Sequence, residues 1–205
     1  MTIEQIAEIT KEPVEGGSMI QNIFRRMVNE IYIEYFKPNG WKKQGLNYRL
    51  FDDSGLGRII NFQKSKWSDD SNKEFYINYG VYMEVGDCIA NKSFKEYECQ
   101  FRNRTKVYNG TYLLNENTNY EKLKNEVIRA LKEANILFDK ITNKQVFIKM
   151  ILSGTLQKET ETPIMHYHTC KLLSDMGYYK EIYEYVKARD GQYFNSLTEE
   201  IKKII

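Results

Sequence analysis

The chain has 205 residues, of which 41% are hydrophobic and 28% charged, and its formal net charge is +2 at pH 7. It is long enough to bury a sizeable core, and its composition is that of a soluble globular protein. So small a net charge supplies no global field for nucleic acid, and no apolar run is long enough to span a bilayer, so neither a nucleic-acid nor a membrane partner is expected.

Residues 1–17 end in Pro13-Val-Glu-Gly-Gly17 and read as a leader with a short helix over 2–9, without the basic start and apolar run of a signal peptide. Ser18-x-x-Gln21 has the capping-box pattern. Behind it Ile20, Ile23, Phe24, Met27, Val28, Ile31 and Tyr35 recur at three- and four-residue steps, which predicts an amphipathic helix ending at Lys37-Pro38-Asn39-Gly40.

From residue 47 the period changes to two. Strands are expected over 47–51, 58–66, 74–85 and 97–106, joined by turn chemistry such as Asp52-Asp-Ser-Gly-Leu-Gly57. Short connections between neighbouring strands imply an antiparallel meander with one face packed and one solvated. The remainder reads as helical, with caps expected at Thr118, Thr142, Thr162-Pro163 and Ser196, and with Gly177 closing one helix. The fold class is therefore α+β: an antiparallel sheet of four or five strands, a long N-terminal helix on one face and a C-terminal helical cap. Expected segments are the leader 1–17, an α+β domain over 18–153 and a helical extension over 154–205.

The string Ile60-Asn-Phe-Gln-Lys-Ser-Lys-Trp67, followed by Phe75-x-Ile-Asn-x-Gly-Val-Tyr82, resembles a bacterial domain-of-unknown-function family. Its lead-in Pro38-Asn-Gly-Trp-Lys-Lys-Gln-Gly45 and its later strand Cys99-Gln-Phe-Arg102-x-Arg104 match the same pattern, over roughly residues 18–140. The resemblance implies an α+β fold and supplies no catalytic residue. Some relatives occur in toxin–immunity or defence gene sets, which implies a partner-binding role.

Alternation puts Phe75, Ile77, Tyr79, Val81 and Met83 on one side of the third strand and Tyr76, Asn78, Gly80 and Tyr82 on the other. On the second strand Ile60 and Phe62 face the core while Asn61, Gln63 and Ser65 face outward. Pairing these strands gathers Asn61, Gln63, Ser65, Asn78 and Tyr82, with Arg102 and Arg104 joining from the fourth strand and Trp67 at the turn. Neutral amides flanked by guanidinium forks suit a carboxylate, a phosphate or a peptide edge. The bland alternative is a solvated face with cross-strand side-chain hydrogen bonds. Asn, Gln and Gly have poor strand propensity, so something other than propensity places them there.

Other constellations are weaker. Lys42, Lys43, Arg49, Arg58, Lys64, Lys66, Trp67, Arg102, Arg104 and Lys106 mix basic and aromatic residues as single-strand binders do, but acids are interleaved throughout. His166 and Cys170 share a helical face without a third ligand, so no metal site is named. Asp52-Asp53 and Asp69-Asp70 have the sequence character of turn formers. Cys88, Cys99 and Cys170 lack a close pair, which predicts reduced thiols in a cytoplasm. No phosphate-binding loop, dinucleotide fingerprint or nucleophile elbow is present, and no cofactor is expected. The expected function is a non-catalytic binding protein for a protein segment or small anionic ligand. The alternatives are an unrecognised hydrolase or nuclease, and a scaffold acting through its C-terminal helices.

Overall fold

The structure is a computed structural model and describes residues 18–107 and 110–205; the expected leader lies outside them. It is α+β. Strands β1 (Lys42–Gln44), β2 (Asn47–Phe51), β3 (Leu56–Lys64), β4 (Lys73–Met83) and β5 (Phe101–Arg104) follow one another across the sheet, and β6 (Tyr112–Leu114) also pairs with β4. β1 and β6 were not among the expected strands, because three residues are too few to show a period of two. The expected strand over 97–106 shrinks to β5, since Glu96–Glu98 form a 3-10 turn instead.

The helices are α1 (Met19–Ile31), α2 (Tyr120–Lys140), α3 (Lys144–Leu152), α4 (Tyr167–Asp175), α5 (Tyr179–Lys187) and α6 (Gln192–Lys202). The chain divides into two compact units. Of the described residues, the first takes 18–50, 58–79 and 104–140, and the second takes Phe51–Gly57, Gly80–Asn103 and Ile141–Ile205.

In the first unit, the apolar stripe read from the sequence is the buried face of α1: Ile20, Ile23, Phe24, Met27, Val28 and Ile31. Ser18 starts the helix by accepting the N–H of Gln21. The helix then loosens into a π-type turn over Tyr32–Phe36 and a 3-10 turn over Lys37–Asn39, closed by Gly40 in the left-handed region. Pro38 explains this ending, because it has no N–H to continue the ladder. Aromatic rings carry the core: Phe36 stacks on Tyr48 with centroids 4.4 Å apart, and Phe24 and Tyr112 each lie 5.1 Å from Phe75. Burying each such ring contributes about 1.5–3 kcal/mol. Arg49 is also buried here, and so is Arg58; neither adds to an exposed basic surface.

In the second unit, Asp52 folds its own turn, accepting Ser54 N at 2.9 Å, Ser54 Oγ at 2.6 Å and Leu56 N at 3.2 Å. Ser54 Oγ in turn accepts the N–H of Lys144 at the start of α3. Glu84 staples the loop after β4 by accepting Ala90 N at 2.8 Å and Asn91 N at 3.2 Å. The segment after α3 meets β5 through its backbone and Asn103: Thr160 Oγ1 donates to Arg102 O at 2.9 Å, and Asn103 Nδ2 donates to Glu159 O at 2.6 Å.

Four expected caps are displaced. Asn119, not Thr118, accepts from the first turn of α2, at Lys122 N. Asn143, not Thr142, caps α3 by accepting Val146 N at 3.0 Å. In each case an Asx residue one step further on holds the turn, while Thr118 closes a local turn with Asn115. Helix α4 begins at Tyr167, beyond Thr162-Pro163, and α6 begins after Gly191 at φ 120, leaving Ser196 inside it. Replacing Asn143 by alanine is expected to lower stability by about 1 kcal/mol. Thermal melts of that variant beside Thr142→Ala, expected to be near neutral, check which residue caps.

Candidate functional site

The site is built on β3 and β4 within the first unit. Ser65 N donates to Glu74 O at 2.9 Å, which sets the antiparallel register and places Asn61 opposite Asn78 and Gln63 opposite Tyr76. These four residues therefore share a face, opposite the one carrying Phe62, Phe75 and Ile77. Arg104, the last residue of β5, belongs to the same unit and joins them.

The polar groups form a ladder with one direction. Arg104 can only donate, and its Nε gives a hydrogen bond to Asn78 Oδ1 at 2.9 Å while Nη2 gives one to Gln63 Oε1 at 3.3 Å. Asn78 must then turn its amino group the other way. It donates to Gln63 Oε1 at 2.7 Å and to Asn61 Oδ1 at 3.3 Å. Asn61 passes the direction on, donating to Asn47 Oδ1 at 2.9 Å. The guanidinium also lies over the Tyr76 ring, 4.0 Å from its centroid. Asn78 is buried at 4% exposure, whereas Gln63 and Arg104 are exposed. The ladder thus has a buried centre at Asn78 and an exposed residue, Arg104, at its end.

The expected site residues divide accordingly. Asn61, Gln63, Asn78 and Arg104 come together. Ser65 serves its own turn, with Oγ accepting Trp67 N at 3.2 Å. Trp67 is 72% exposed, with the Lys66 ammonium 5.0 Å from its ring centroid. Tyr82 and Arg102 belong to the second unit. The Tyr82 ring stacks on Phe94 at 4.5 Å and its hydroxyl donates to Glu84 at 2.8 Å, so burial and the neighbouring carboxylate both push its phenol pKa up. Arg102 is half-buried, with its carbonyl taken by Thr160.

Sequence reasoning missed Asn47 and Tyr76 as members. Tyr76 stands on the right face by alternation from Asn78 but was not counted among the site residues. Asn47 could not be found this way, because its place depends on which residue of β2 lies beside Asn61.

Among the other candidates, Cys170 is buried in α4 with its thiol directed at Met165 O, and burial raises its pKa to about 11, well away from a nucleophilic thiolate. Burial, then His168 and Arg102, hold His166 below the ordinary histidine value. Asp69 accepts Ser71 N and Asn72 N at 2.8 and 2.7 Å, so its carboxylate, like that of Asp52, is used by its own turn. Among the described residues no group of three His, Cys, Asp or Glu side chains is arranged to hold a metal ion, and no helix is long and apolar enough to cross a membrane.

No curated protein and no solved structure matches the chain. A family of domains of unknown function, DUF4304, does match, over residues 33–141, more than half of the sequence and including the whole amide ladder. The chain belongs to this DUF4304 family, a domain of unknown function.

Proposed function

We propose that this protein is a non-catalytic binding protein that takes a carboxylate-bearing segment of another protein on the Gln63–Asn78–Arg104 face. The observation that carries the reading is the immobilised guanidinium of Arg104. Two hydrogen bonds and the Tyr76 ring hold an exposed arginine in one orientation. A free arginine loses roughly 1.5–2 kcal/mol of rotamer entropy on being ordered, and here the fold has already supplied that ordering. With the Nε–Nη2 edge given to Asn78 and Gln63, a carboxylate would meet the outer edge of the planar guanidinium, and the amides beside it suit peptide edges. An immunity or defence role, in which one protein holds another, belongs to the same proposal and is supported by the family resemblance alone.

The test is a titration of the full chain with short peptides rich in Asp or Glu, followed by side-chain NMR of Arg104, Asn78 and Gln63. Saturable shifts at these groups are expected, and Arg104→Ala should weaken binding about ten-fold or more, the equivalent of one charge-assisted hydrogen bond of about 1.5–3 kcal/mol. Arg104→Lys should not restore it, because an ammonium on a flexible stem has no planar fork to orient. Equal binding by the wild type and Arg104→Ala, or shifts that follow ionic strength alone, would overturn the reading. A thermal melt of each variant separates loss of the ladder from loss of a ligand contact.

A further inference from the structure

The opposite face of the same hairpin holds a second arrangement. With Ser65 opposite Glu74, Lys64 stands opposite Phe75, and Lys73 lies two residues along β4 on the same side. Such diagonal neighbours are about 7–8 Å apart at the backbone, within reach of two lysine side chains. Helix α1 packs here: the Phe24 ring lies 5.1 Å from Phe75, and the Lys64 ammonium is 6.0 Å from the Phe24 centroid. Arg25, the next residue of α1, is exposed and within electrostatic reach of Lys64.

Three cations are thus gathered, and Lys73 is 5% exposed. Among the described residues none of the three takes part in an ion pair or a side-chain hydrogen bond. Asp69 is near enough to feel Lys73, but its carboxylate accepts the N–H groups of Ser71 and Asn72. Burial, then Lys73 and Arg25, push the Lys64 ammonium below the ordinary lysine range. Asp69 acts on Lys73 but forms no ion pair with any of the three, and like charges held this close oppose folding unless more opposite charge is supplied.

The geometry points to a binding site for a soluble phosphate monoester, held by Arg25, Lys64 and Lys73 on the α1 side of the β3–β4 hairpin. A phosphate monoester carries about −1.5 to −2 at pH 7 and presents three acceptor oxygens, which matches three converging cations better than a single carboxylate does. Lysine supplies the point charges and arginine the fork. This inference does not rest on the Arg104 reading, since the two sites are on opposite faces.

The probes are inorganic phosphate and methyl phosphate, titrated into the full chain at matched ionic strength against chloride, with lysine side chains followed by NMR. Lys64 should titrate below the other surface lysines in chloride and move upward in phosphate. Saturable shifts should be confined to Arg25, Lys64, Lys73 and the adjoining turn. Lys64→Gln should weaken binding of both probes ten-fold or more, and Arg104→Ala should leave it unchanged. Lys64 is exposed, so its replacement is expected to keep the fold, which a thermal melt of Lys64→Gln checks, and the test does not depend on Lys73→Gln. Shifts that track ionic strength, equal binding by Lys64→Gln, or inorganic phosphate binding without methyl phosphate would overturn the proposal. So would binding to phosphatidic acid vesicles without binding to methyl phosphate.

Discussion

Gly80→Ala is expected to lower the urea midpoint, by about 1–3 kcal/mol of stability, with the slope of the transition unchanged. On propensity alone the exchange should stabilise, since glycine inside a strand is about 0.5–1 kcal/mol worse than alanine. Packing reverses the sign. A Cβ at Gly80 would stand 2.8 Å from Phe101 O and 2.9 Å from Cys99 Sγ, and a backbone carbonyl on a paired strand cannot move aside as a flexible side chain does. Gly57 has the same problem with a ring: its Cβ would stand 2.5 Å from Phe94, which is fully buried and stacked on Tyr82. An unchanged or raised midpoint for Gly80→Ala would show that β4 and β5 separate freely enough to accept a methyl group.

Glu30→Ala is expected to cost about 1–3 kcal/mol and to flatten the acid limb of the stability curve. Glu30 is the hub of the first unit's ionic network. It accepts Arg26 Nε at 2.7 Å, Tyr120 Oη at 2.7 Å and Lys124 Nζ at 2.9 Å, and Lys124 also reaches Glu34 at 3.0 Å. Removing the carboxylate leaves a largely buried ammonium and phenol short of a partner. The cost stays below that of a fully buried pair because the Glu30 side chain is 25% exposed. Burial alone would raise its pKa, but the bonds from Arg26, Lys124 and Tyr120 outweigh it and hold the carboxyl below the ordinary glutamate value. A carboxyl depressed in the folded state stabilises fully above its unfolded pKa, and that contribution disappears as pH falls through the folded value. Denaturation across the acidic range should therefore show a steeper loss for the wild type than for Glu30→Ala. Parallel curves would remove Glu30 from the account.

Much of the fold was legible because it depends on short-range periodicity. The stripe Ile20 to Ile31 specified α1 and its buried face, and the alternation of Phe75, Ile77, Val81 and Met83 specified the core side of β4. The helix starts were less secure. Thr118 and Thr142 satisfied the capping pattern, yet Asn119 and Asn143 took the role, since two adjacent residues can each offer an oxygen and the local backbone selects one.

The candidate site was half legible for the same reason. Parity along a strand is enough to put Asn61, Gln63 and Asn78 on one face. It could not say that Arg104 rather than Arg102 closes the ladder, or that Asn47 begins it. Those choices depend on how far one strand slides against the next, which is set by turns and by packing many residues away. The poor strand formers Asn, Gln and Gly are explained only there as well: Asn78 is held by Arg104, Gln63 and Asn61, and Gly80 by the approach of Phe101 and Cys99. The elements and their apolar faces could be read from the residues alone, because they follow from local geometry. Tertiary structure alone decided which polar groups meet, because hydrogen bonds require register and distance that no local pattern encodes.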